Sequence, residues 1–315
     1  MTQTSRVHDD PPVASLDSGG PASSPEVIER PHVFTFEVVQ GYFLQNGPEP
    51  QHLEFEEILK RNFGLLDESP ERWHNLKASV KKMQSEAEEG VIYKVLFLGR
   101  HGQGWHNFAA NKYGVDPWED YWAFLYGDGE ITWGPDPELT PLGISQARAV
   151  QKCWKEQALV GAPITKEEMR WYLSPLTRTG QTMQESWGDM LAGTPEVWED
   201  FREIYGGHTC DKRSTKTQIQ KRFPTFSIEE GFTENDELWK ADDRETDAHM
   251  QYRSQRAMDR LFGEDGTKET FISITGHSAH FRNLLAVLNH QPYPLATGEM
   301  IPVVVKATRV ASDFQ

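Results

Sequence analysis

The chain has 315 residues, which is enough for one large α/β domain or for one domain with a tail. Forty-eight acidic against 32 basic residues give a net charge of −16, which repels nucleic acid and anionic membranes, so we expect neither as a partner. The chain contains no run of the ~18 apolar residues that a membrane span needs. Its first residues lack the pattern of a secretion signal, and two cysteines make no disulfide framework. A reducing, cytoplasmic location is therefore expected.

The N-terminal third of the chain reads as a tail, an arm and a helix. Residues 1–30 are rich in Pro, Ser, Gly and Asp and predict a disordered tail. Within the arm, residues 31–90, the segment 32–41 predicts an edge strand or an extended arm. The segment 69–89 predicts a helix with Ser69 as its N-cap and one apolar face. We predict that residues 31–315 form a single domain that includes this arm.

Strand and helix patterns alternate through the rest of the chain. A short apolar run at 91–98 predicts a buried strand, and an aromatic insertion spans 113–138. Further strands are predicted at 170–173, 196–198, 270–275 and 302–308, and helices at 142–157, 177–190, 247–262 and 277–288. This alternation predicts the α/β class, as a three-layer αβα sandwich with a mostly parallel central sheet.

Cationic side chains follow three of the predicted strands. Arg100 and His101 end the first in GRHG, Arg178 follows the second in SPLTR, and His277 follows the third in GHS. Because the carboxyl ends of parallel strands open into one crevice, we expect these four side chains to converge. No carboxylate sits immediately beside them in the three loops. Two guanidinium and two imidazole groups suit a phosphate dianion, which predicts a small phosphorylated molecule as the substrate.

An imidazole can also act as the nucleophile near neutral pH, whereas Ser or Thr needs a separate base. A phosphohistidine would divide phosphate transfer into two steps, with the surrounding cations stabilising charge on the phosphoryl oxygens. The leaving oxygen then needs a proton from a carboxylic acid. We expect no metal and no organic cofactor, because the cationic side chains supply the required charge.

Five motifs carry a family resemblance. GRHGQGWHN, LTPLGISQA, SPLTRTGQT, FREIYGGHTCDKR and ITGHSAH occur in this order between residues 91 and 310. They resemble the successive motifs of the histidine phosphatase superfamily, in its phosphoglycerate-mutase-like branch. The N-terminal arm and the aromatic stretch are similar to a fungal group of phosphomutase-like proteins that are generally phosphatases. The resemblance implies the same sandwich fold for this chain.

The resemblance also implies the roles of the main site residues. His101 is the nucleophile, with Arg100, Arg178 and His277 as the rest of the phosphate pocket. Glu203, in FREIYGG, falls where the family carries its acidic proton donor. These five residues are the predicted catalytic set.

A second group of residues is expected to contact the substrate. The resemblance implies Asn107 as a contact near the phosphate, and we add Gly102, Gln103, Ser278 and Arg213. Gln103 stands where many mutases of the family have Glu, and Ser278 where Gly is usual. Both departures count against a sugar-phosphate mutase and say little against a phosphatase.

Three other features have more than one interpretation. His208, Cys210 and Asp211 lie close in sequence but lack a second pair at zinc-site spacing, so a structural loop is favoured over a metal site. The aromatic segment 113–133 is either satellite core packing or a wall that selects the substrate. The acidic run in 229–237 predicts a solvated face.

The function predicted from the sequence is hydrolysis of a phosphate monoester. One alternative is a phosphomutase of the phosphoglycerate mutase type, which returns the phosphate to another hydroxyl. A second is a non-catalytic protein that binds a phosphorylated ligand on the same fold. A third is recruitment of the scaffold to metabolite biosynthesis on a phosphate or diphosphate ester. The sequence names neither the substrate nor the oligomeric state.

Overall fold

The computed structural model describes residues 32–49, 52–263 and 266–310, so the predicted tail 1–30 lies outside the described residues. These residues contain a seven-stranded sheet in the order β1-β7-β2-β6-β3-β4-β5. Its strands are β1 Phe34–Val39, β2 Val91–Arg100, β3 Met169–Leu173, β4 Glu196–Val197, β5 Ser227–Ile228, β6 Phe271–Gly276 and β7 Met300–Arg309.

Six of the seven strands run in one direction. β2, β6, β3, β4 and β5 are parallel neighbours, and only β7 is antiparallel, to both β1 and β2. The predicted mostly parallel sheet is confirmed. The predicted strand 302–308 exists as β7, but it is the strand that runs in the opposite direction. β1 lies at the edge of the sheet, which confirms the edge strand expected within 32–41.

The described helices follow the predicted ones and add several short ones. They are α1 Phe55–Lys60, α2 Arg72–Ser85, α3 Trp105–Tyr113, α4 Val115–Asp120, α5 Pro141–Ala158, α6 Thr177–Trp187, α7 Lys216–Arg222, α8 Asp247–Phe262 and α9 Ser278–Val287. α8 has the predicted bounds. α2 begins at Arg72 with Glu71 as its N-cap, so the prediction of Ser69 as the cap was wrong.

Helices cover both faces of the sheet because the side chains of each strand alternate. Val95 and Phe97 of β2 belong to a core with residues of α2, α5 and α6, among them Trp154. Leu96 and Leu98 point to the other face and belong to a core with residues of α8 and α9. The two cores and the sheet between them form the predicted three-layer sandwich.

The aromatic insertion builds a third, smaller core beside α3. Trp118 and Trp133 are buried there with Cys210, and the rings of Tyr113 and Trp122 stack at 4.0 Å. This satellite packing accounts for part of the insertion. Tyr121, Phe124 and Tyr126 stay exposed, at 58%, 47% and 50%, so they do not contribute to that core.

None of the helices in the described residues is both long enough and apolar enough to cross a bilayer.

Candidate active site

The site lies at the carboxyl edge of three adjacent strands. β2 ends at Arg100 and leads into His101, β3 leads into the loop before Arg178, and β6 leads into His277. β6 pairs with both β2 and β3, so their loops are neighbours. The rings of His101 and His277 lie 5.1 Å apart, centroid to centroid. The structure therefore brings together the loops that the sequence predicted to converge.

His101 is fixed in one tautomer. Its Nδ1 lies 2.7 Å from the carbonyl oxygen of Gly102, which can only accept, so Nδ1 carries the proton. Nε2 then holds the free lone pair. Burial and the nearby Arg178 and Arg100 guanidinium groups hold the pKa of His101 well below its ordinary value. The imidazole is therefore neutral at neutral pH, which is the form that can act as a nucleophile.

Arg178 is completely buried at the start of α6 and is held by the loop 208–213. Its NH1 donates to the carbonyl oxygen of Cys210 at 2.9 Å, and its NH2 pairs with Asp211 Oδ1 at 3.0 Å. Within the described residues, its Nε is buried with no hydrogen-bond partner. Asp211 lies outside the three cationic loops and reaches Arg178 from a distant part of the chain.

His277 is also completely buried. Its Nε2 lies 2.7 Å from the Ser174 hydroxyl, which belongs to the loop after β3. Its Nδ1 has no hydrogen-bond partner in the described part of the chain. Burial, Arg178 and His101 hold its pKa well below the ordinary value. An unpartnered imidazole nitrogen beside a guanidinium group is suited to an anionic ligand.

Arg100 is clamped by the segment that precedes β7. Its NH1 donates to the carbonyl oxygen of Leu295 at 2.7 Å, and its backbone N–H donates to that of Glu299 at 2.8 Å. Burial raises the pKa of the Glu299 side chain to about 7, and Tyr293 donates to it at 2.6 Å. The last part of the described chain thus positions one of the predicted phosphate ligands.

The carboxylate of Glu203 lies at the N-terminus of α9, the helix that begins directly after His277. That carboxylate accepts the backbone N–H groups of Ala279 at 3.2 Å and His280 at 3.1 Å, and the Ser278 hydroxyl lies 3.5 Å away. Those bonds favour the charged form, but burial and the nearby Asp211 outweigh them and raise the pKa of Glu203. A buried carboxyl with a raised pKa beside the phosphate loops is suited to donate a proton.

A network of buried ion pairs fixes the backbone next to Glu203. Arg202 is completely buried and pairs with Glu199 at 2.7 Å and with Asp236 at 2.8 Å. Its NH2 also donates to the carbonyl oxygen of Asp211. The solvated acidic face predicted for 229–237 is therefore wrong in part, because the side chain of Asp236 is buried against Arg202.

Gly102 and Gln103 support the His101 loop from behind. The N–H of Gly102 donates to Thr182 Oγ1 at 3.0 Å, and that of Gln103 donates to Gln146 Oε1 at 2.8 Å. The Gln103 side chain accepts from Thr140 Oγ1 at 2.9 Å. These bonds support the His101 loop, and the substrate contacts predicted for both residues stay predictions.

Arg213 does not point into the site. Its Nε donates to both carboxylate oxygens of Glu199, at 3.2 and 3.1 Å. Its NH1 and NH2 donate to four backbone carbonyl groups and to the hydroxyl of Thr233. The guanidinium group is buried, and all of its nitrogen atoms donate to groups within the protein. The prediction that Arg213 contacts the substrate is therefore corrected.

Asn107 and Ser278 lie where the prediction expects them. Asn107 is in the first turn of α3, and its Oδ1 accepts the N–H of Gly104 at 2.9 Å, so its NH₂ group is the remaining donor. Ser278 begins α9, next to His277 and within reach of Glu203. Neither placement tests a contact with substrate.

His106 is a neighbour of His101 that the sequence predictions missed. Its ring lies 5.4 Å from the His101 ring, centroid to centroid. The residue sits inside the motif GRHGQGWHN, where the resemblance drew attention to Asn107 instead. The only signal for a third imidazole close to His101 was the position of His106 at the start of α3. The sequence predictions did not include that helix.

His208, Cys210 and Asp211 form the group of metal-ligand types found among the described residues, with ligand atoms within 4.8 Å of one another. Asp211 pairs with Arg178 and lies 3.7 Å from Arg244. Burial raises the pKa of the Cys210 thiol well above its ordinary value, so the thiolate is disfavoured. Two guanidinium groups and a protonated thiol suit a loop that holds Arg178 better than they suit a cation.

A cavity of about 410 Å³ lies beside Trp105, the residue before His106. Glu130, Asp136, Glu138 and Arg222 are among the residues that line it. The cavity lies near the start of α6, because Asp136 and Arg222 both bond Thr177, the residue before Arg178. The carboxylate of Asp136 is therefore engaged within the protein.

Comparisons with known proteins identify the family. Residues 123–303 match the model of the histidine phosphatase superfamily (branch 1). A probable phosphoglycerate mutase of Arthroderma benhamiae is 37% identical over 289 residues, covering 86% of this chain and 84% of the relative. Phosphomutase-like protein 3 of Candida albicans is 34% identical over 275 residues, covering 87% and 81%. The chain belongs to the histidine phosphatase superfamily.

A solved structure extends the comparison at lower similarity. A mycobacterial glucosyl-3-phosphoglycerate phosphatase is 17% identical with a TM-score of 0.40, covering 66% of this chain and 90% of the other. At that distance the likeness says nothing about the substrate.

Proposed function

We propose that the protein is a phosphatase that hydrolyses a small-molecule phosphate monoester through a phosphohistidine on His101. The observation that carries the proposal is the free Nε2 lone pair of a neutral, buried His101 beside Arg178 Nε and His277 Nδ1, two buried polar atoms that have no hydrogen-bond partner within the described residues. Membership of the superfamily supports the same chemistry.

In the first step, the Nε2 lone pair of His101 attacks phosphorus and the bond between phosphorus and the ester oxygen breaks. The leaving oxygen takes the proton of the Glu203 carboxyl, so an alcohol departs and Glu203 becomes a carboxylate. Arg100, Arg178 and His277 hold the three remaining phosphoryl oxygens. The charge of the two guanidinium groups stabilises the transition state, as in other phosphoryl transfers.

In the second step, water attacks the phosphorus of the phosphohistidine. Glu203 takes a proton from that water, and the electron pair of the P–N bond returns to His101 Nε2. Inorganic phosphate leaves and both side chains are restored. Asn107 and Ser278, at the starts of α3 and α9, are the further contacts that we propose for the bound ester.

We propose that the reaction needs no metal and no organic cofactor. The charge that Mg²⁺ or Zn²⁺ supplies in other phosphatases would come from two guanidinium groups. The two cysteines in the chain are free and buried, which supports the cytoplasmic location predicted from the sequence.

A phosphoglycerate mutase is the main alternative, and two named relatives carry related descriptions. Two residues disfavour it: Gln103 stands where many mutases of the family have Glu, and Ser278 stands where Gly is usual. A non-catalytic binding protein is disfavoured because His101 and Glu203 are both present and both perturbed toward their catalytic forms.

The test is release of inorganic phosphate from a panel that includes neutral polyol phosphates and 3-phosphoglycerate. We expect release of inorganic phosphate from at least one ester of the panel and no isomerised product. His101→Ala should reduce kcat to less than a few per cent while the protein stays folded. His74→Ala, on the exposed side of α2, is the matched control and should keep full activity. Isomerised phosphoglycerate without phosphate release would establish the mutase instead, and substantial turnover by His101→Ala would overturn the proposed nucleophile.

A further inference from the structure

His106 packs one edge of its ring against Gly104 and leaves the other edge accessible. A Cβ built on Gly104 would lie 2.6 Å from His106 Nδ1 and 2.7 Å from its Cε1, so this edge of the ring lies flat against the Gly104 backbone. Nδ1 is buried and has no hydrogen-bond partner in the described part of the chain. The residue as a whole is half-buried. Its accessible edge is therefore the one that carries Nε2.

The proton of the neutral ring belongs on Nε2. A buried N–H with no acceptor is rarer and costlier than a buried acceptor with no donor. Because Nδ1 has no acceptor, the favoured tautomer leaves Nδ1 bare and puts the N–H on Nε2. The accessible edge of His106 is thus a hydrogen-bond donor.

The charges around His106 are those of the phosphate pocket. Burial lowers the pKa of His106, and Arg178, His101 and Arg100 lower it further, with Arg178 the largest of the charges. Arg178 is also the largest charge acting on His101 and on His277. Arg178 therefore acts on all three imidazoles, and the His101 ring is within 5.5 Å of both others.

We propose that His106 is a further substrate-binding residue, whose Nε2–H donates to an oxygen of the phosphate held in front of His101. The proposal rests on the proposed function in one respect, which is that this pocket binds phosphate. It adds a third imidazole to the pocket and explains why Gly104, with no side chain, precedes α3: any side chain there would strike the ring. His106 positions the phosphoryl group and takes no part in the bond changes.

The test compares three variants by titration calorimetry with inorganic phosphate as the probe. His106→Phe keeps a flat ring on Gly104 but has no donor. His106→Gln offers an amide N–H close to the place of Nε2. A hydrogen bond to a charged group is worth roughly tenfold or more in affinity, so His106→Phe should weaken phosphate binding by at least about tenfold. His106→Gln should recover most of that loss.

A matched control comes from another histidine that packs on a glycine. A Cβ on Gly161 would lie 2.7 Å from His74 Nε2, which is the same ring-on-glycine arrangement outside the phosphate loops. His74→Phe should leave phosphate affinity unchanged. Thermal melting of each variant reports whether it is folded, and His106→Gln carries the test if His106→Phe fails to fold.

The outcomes separate this proposal from the proposed function. Equal phosphate affinity in wild type and in His106→Phe, or a His106→Gln variant as weak as His106→Phe, would overturn the role of His106. A wild-type protein that binds phosphate but hydrolyses no ester would overturn the phosphatase and leave His106 to be decided by its variants. A wild type that binds no phosphate would overturn both.

Discussion

His101 and Glu203 are both buried, and burial acts on them in opposite directions. Removal of water disfavours the charged form of each group, so it lowers the pKa of the histidine and raises that of the acid. Burial therefore favours the neutral form of His101 and the protonated form of Glu203. One physical effect prepares two residues for different tasks.

The first prediction concerns the leaving group. Glu203→Gln should slow the first step for an alkyl phosphate by roughly 10²–10⁴-fold, the usual worth of general-acid help, and should spare nitrophenyl phosphate, whose leaving oxygen needs little protonation. Because the base of the second step is also lost, a burst of nitrophenol followed by a slow steady state is expected. Stopped-flow measurement of both esters checks this. Equal slowing of the first step for both would mean that Glu203 is structural.

The second prediction concerns pH. Turnover needs a deprotonated His101, so kcat/KM should fall as pH drops through a His101 pKa that lies below 6.5. It also needs a protonated Glu203, so kcat/KM for an alkyl ester should fall as pH rises through a Glu203 pKa that lies above 4.5. A pH profile of kcat/KM gives both limbs. The alkaline limb should vanish in Glu203→Gln, and its persistence there would assign it to another group.

At the scale of elements, the His101 loop is pressed directly against the start of α5. A Cβ on Gly143 would lie 2.2 Å from the carbonyl oxygen of Gln103, and one on Gly102 would lie 2.3 Å from that of Gly143. Both contacts are with backbone, which cannot rotate away. The two glycines let helix and loop approach closely, and this approach holds the loop that carries His101 in place.

The third prediction is that Gly143→Ala moves the loop and weakens the fold. Overpacking of this kind typically costs ~1–3 kcal/mol in free energy of unfolding, and kcat should fall with the displacement of His101. Urea denaturation and steady-state kinetics check the two effects. Gly47→Ala is the control, because its nearest neighbour is the Glu49 carbonyl oxygen at 3.9 Å. Unchanged kcat in Gly143→Ala would show that the loop does not depend on α5.

Sequence patterns predicted the elements better than their contacts. The bounds of α8 were predicted because its apolar period is regular and Thr246 caps it. The direction of β7 was not predicted, because a continuous apolar run looks the same in either direction. The pairing of Arg178 with Asp211 joins residues 33 positions apart and has no local signal. His106 was missed because the short helix α3 has no strong period.

At the scale of the whole molecule, a cationic pocket is embedded in a chain with a net charge of −16. Asp211, Glu199 and Asp236 form ion pairs with buried arginines. The excess of acidic residues therefore does not neutralise the positive charge of the pocket. The fourth prediction is that EDTA leaves activity unchanged, because the arginines replace a metal ion. Phosphate release with and without EDTA checks this. Loss of activity that a divalent ion restores would contradict it.

The position of β2 in the sheet determines when a newly made chain can complete its candidate site. β2 ends at Arg100, but its two neighbours are β6, which begins at Phe271, and β7, which ends at Arg309. When the GRHG motif emerges from the ribosome, the nascent chain still lacks β6 and β7, the two strands that flank β2. It also lacks the segment that clamps Arg100. Such distant pairing makes folding slow and leaves the apolar edges of β2 uncovered meanwhile. A complete candidate site and protection of β2 from aggregation are therefore acquired together, once residues 271–309 have been made.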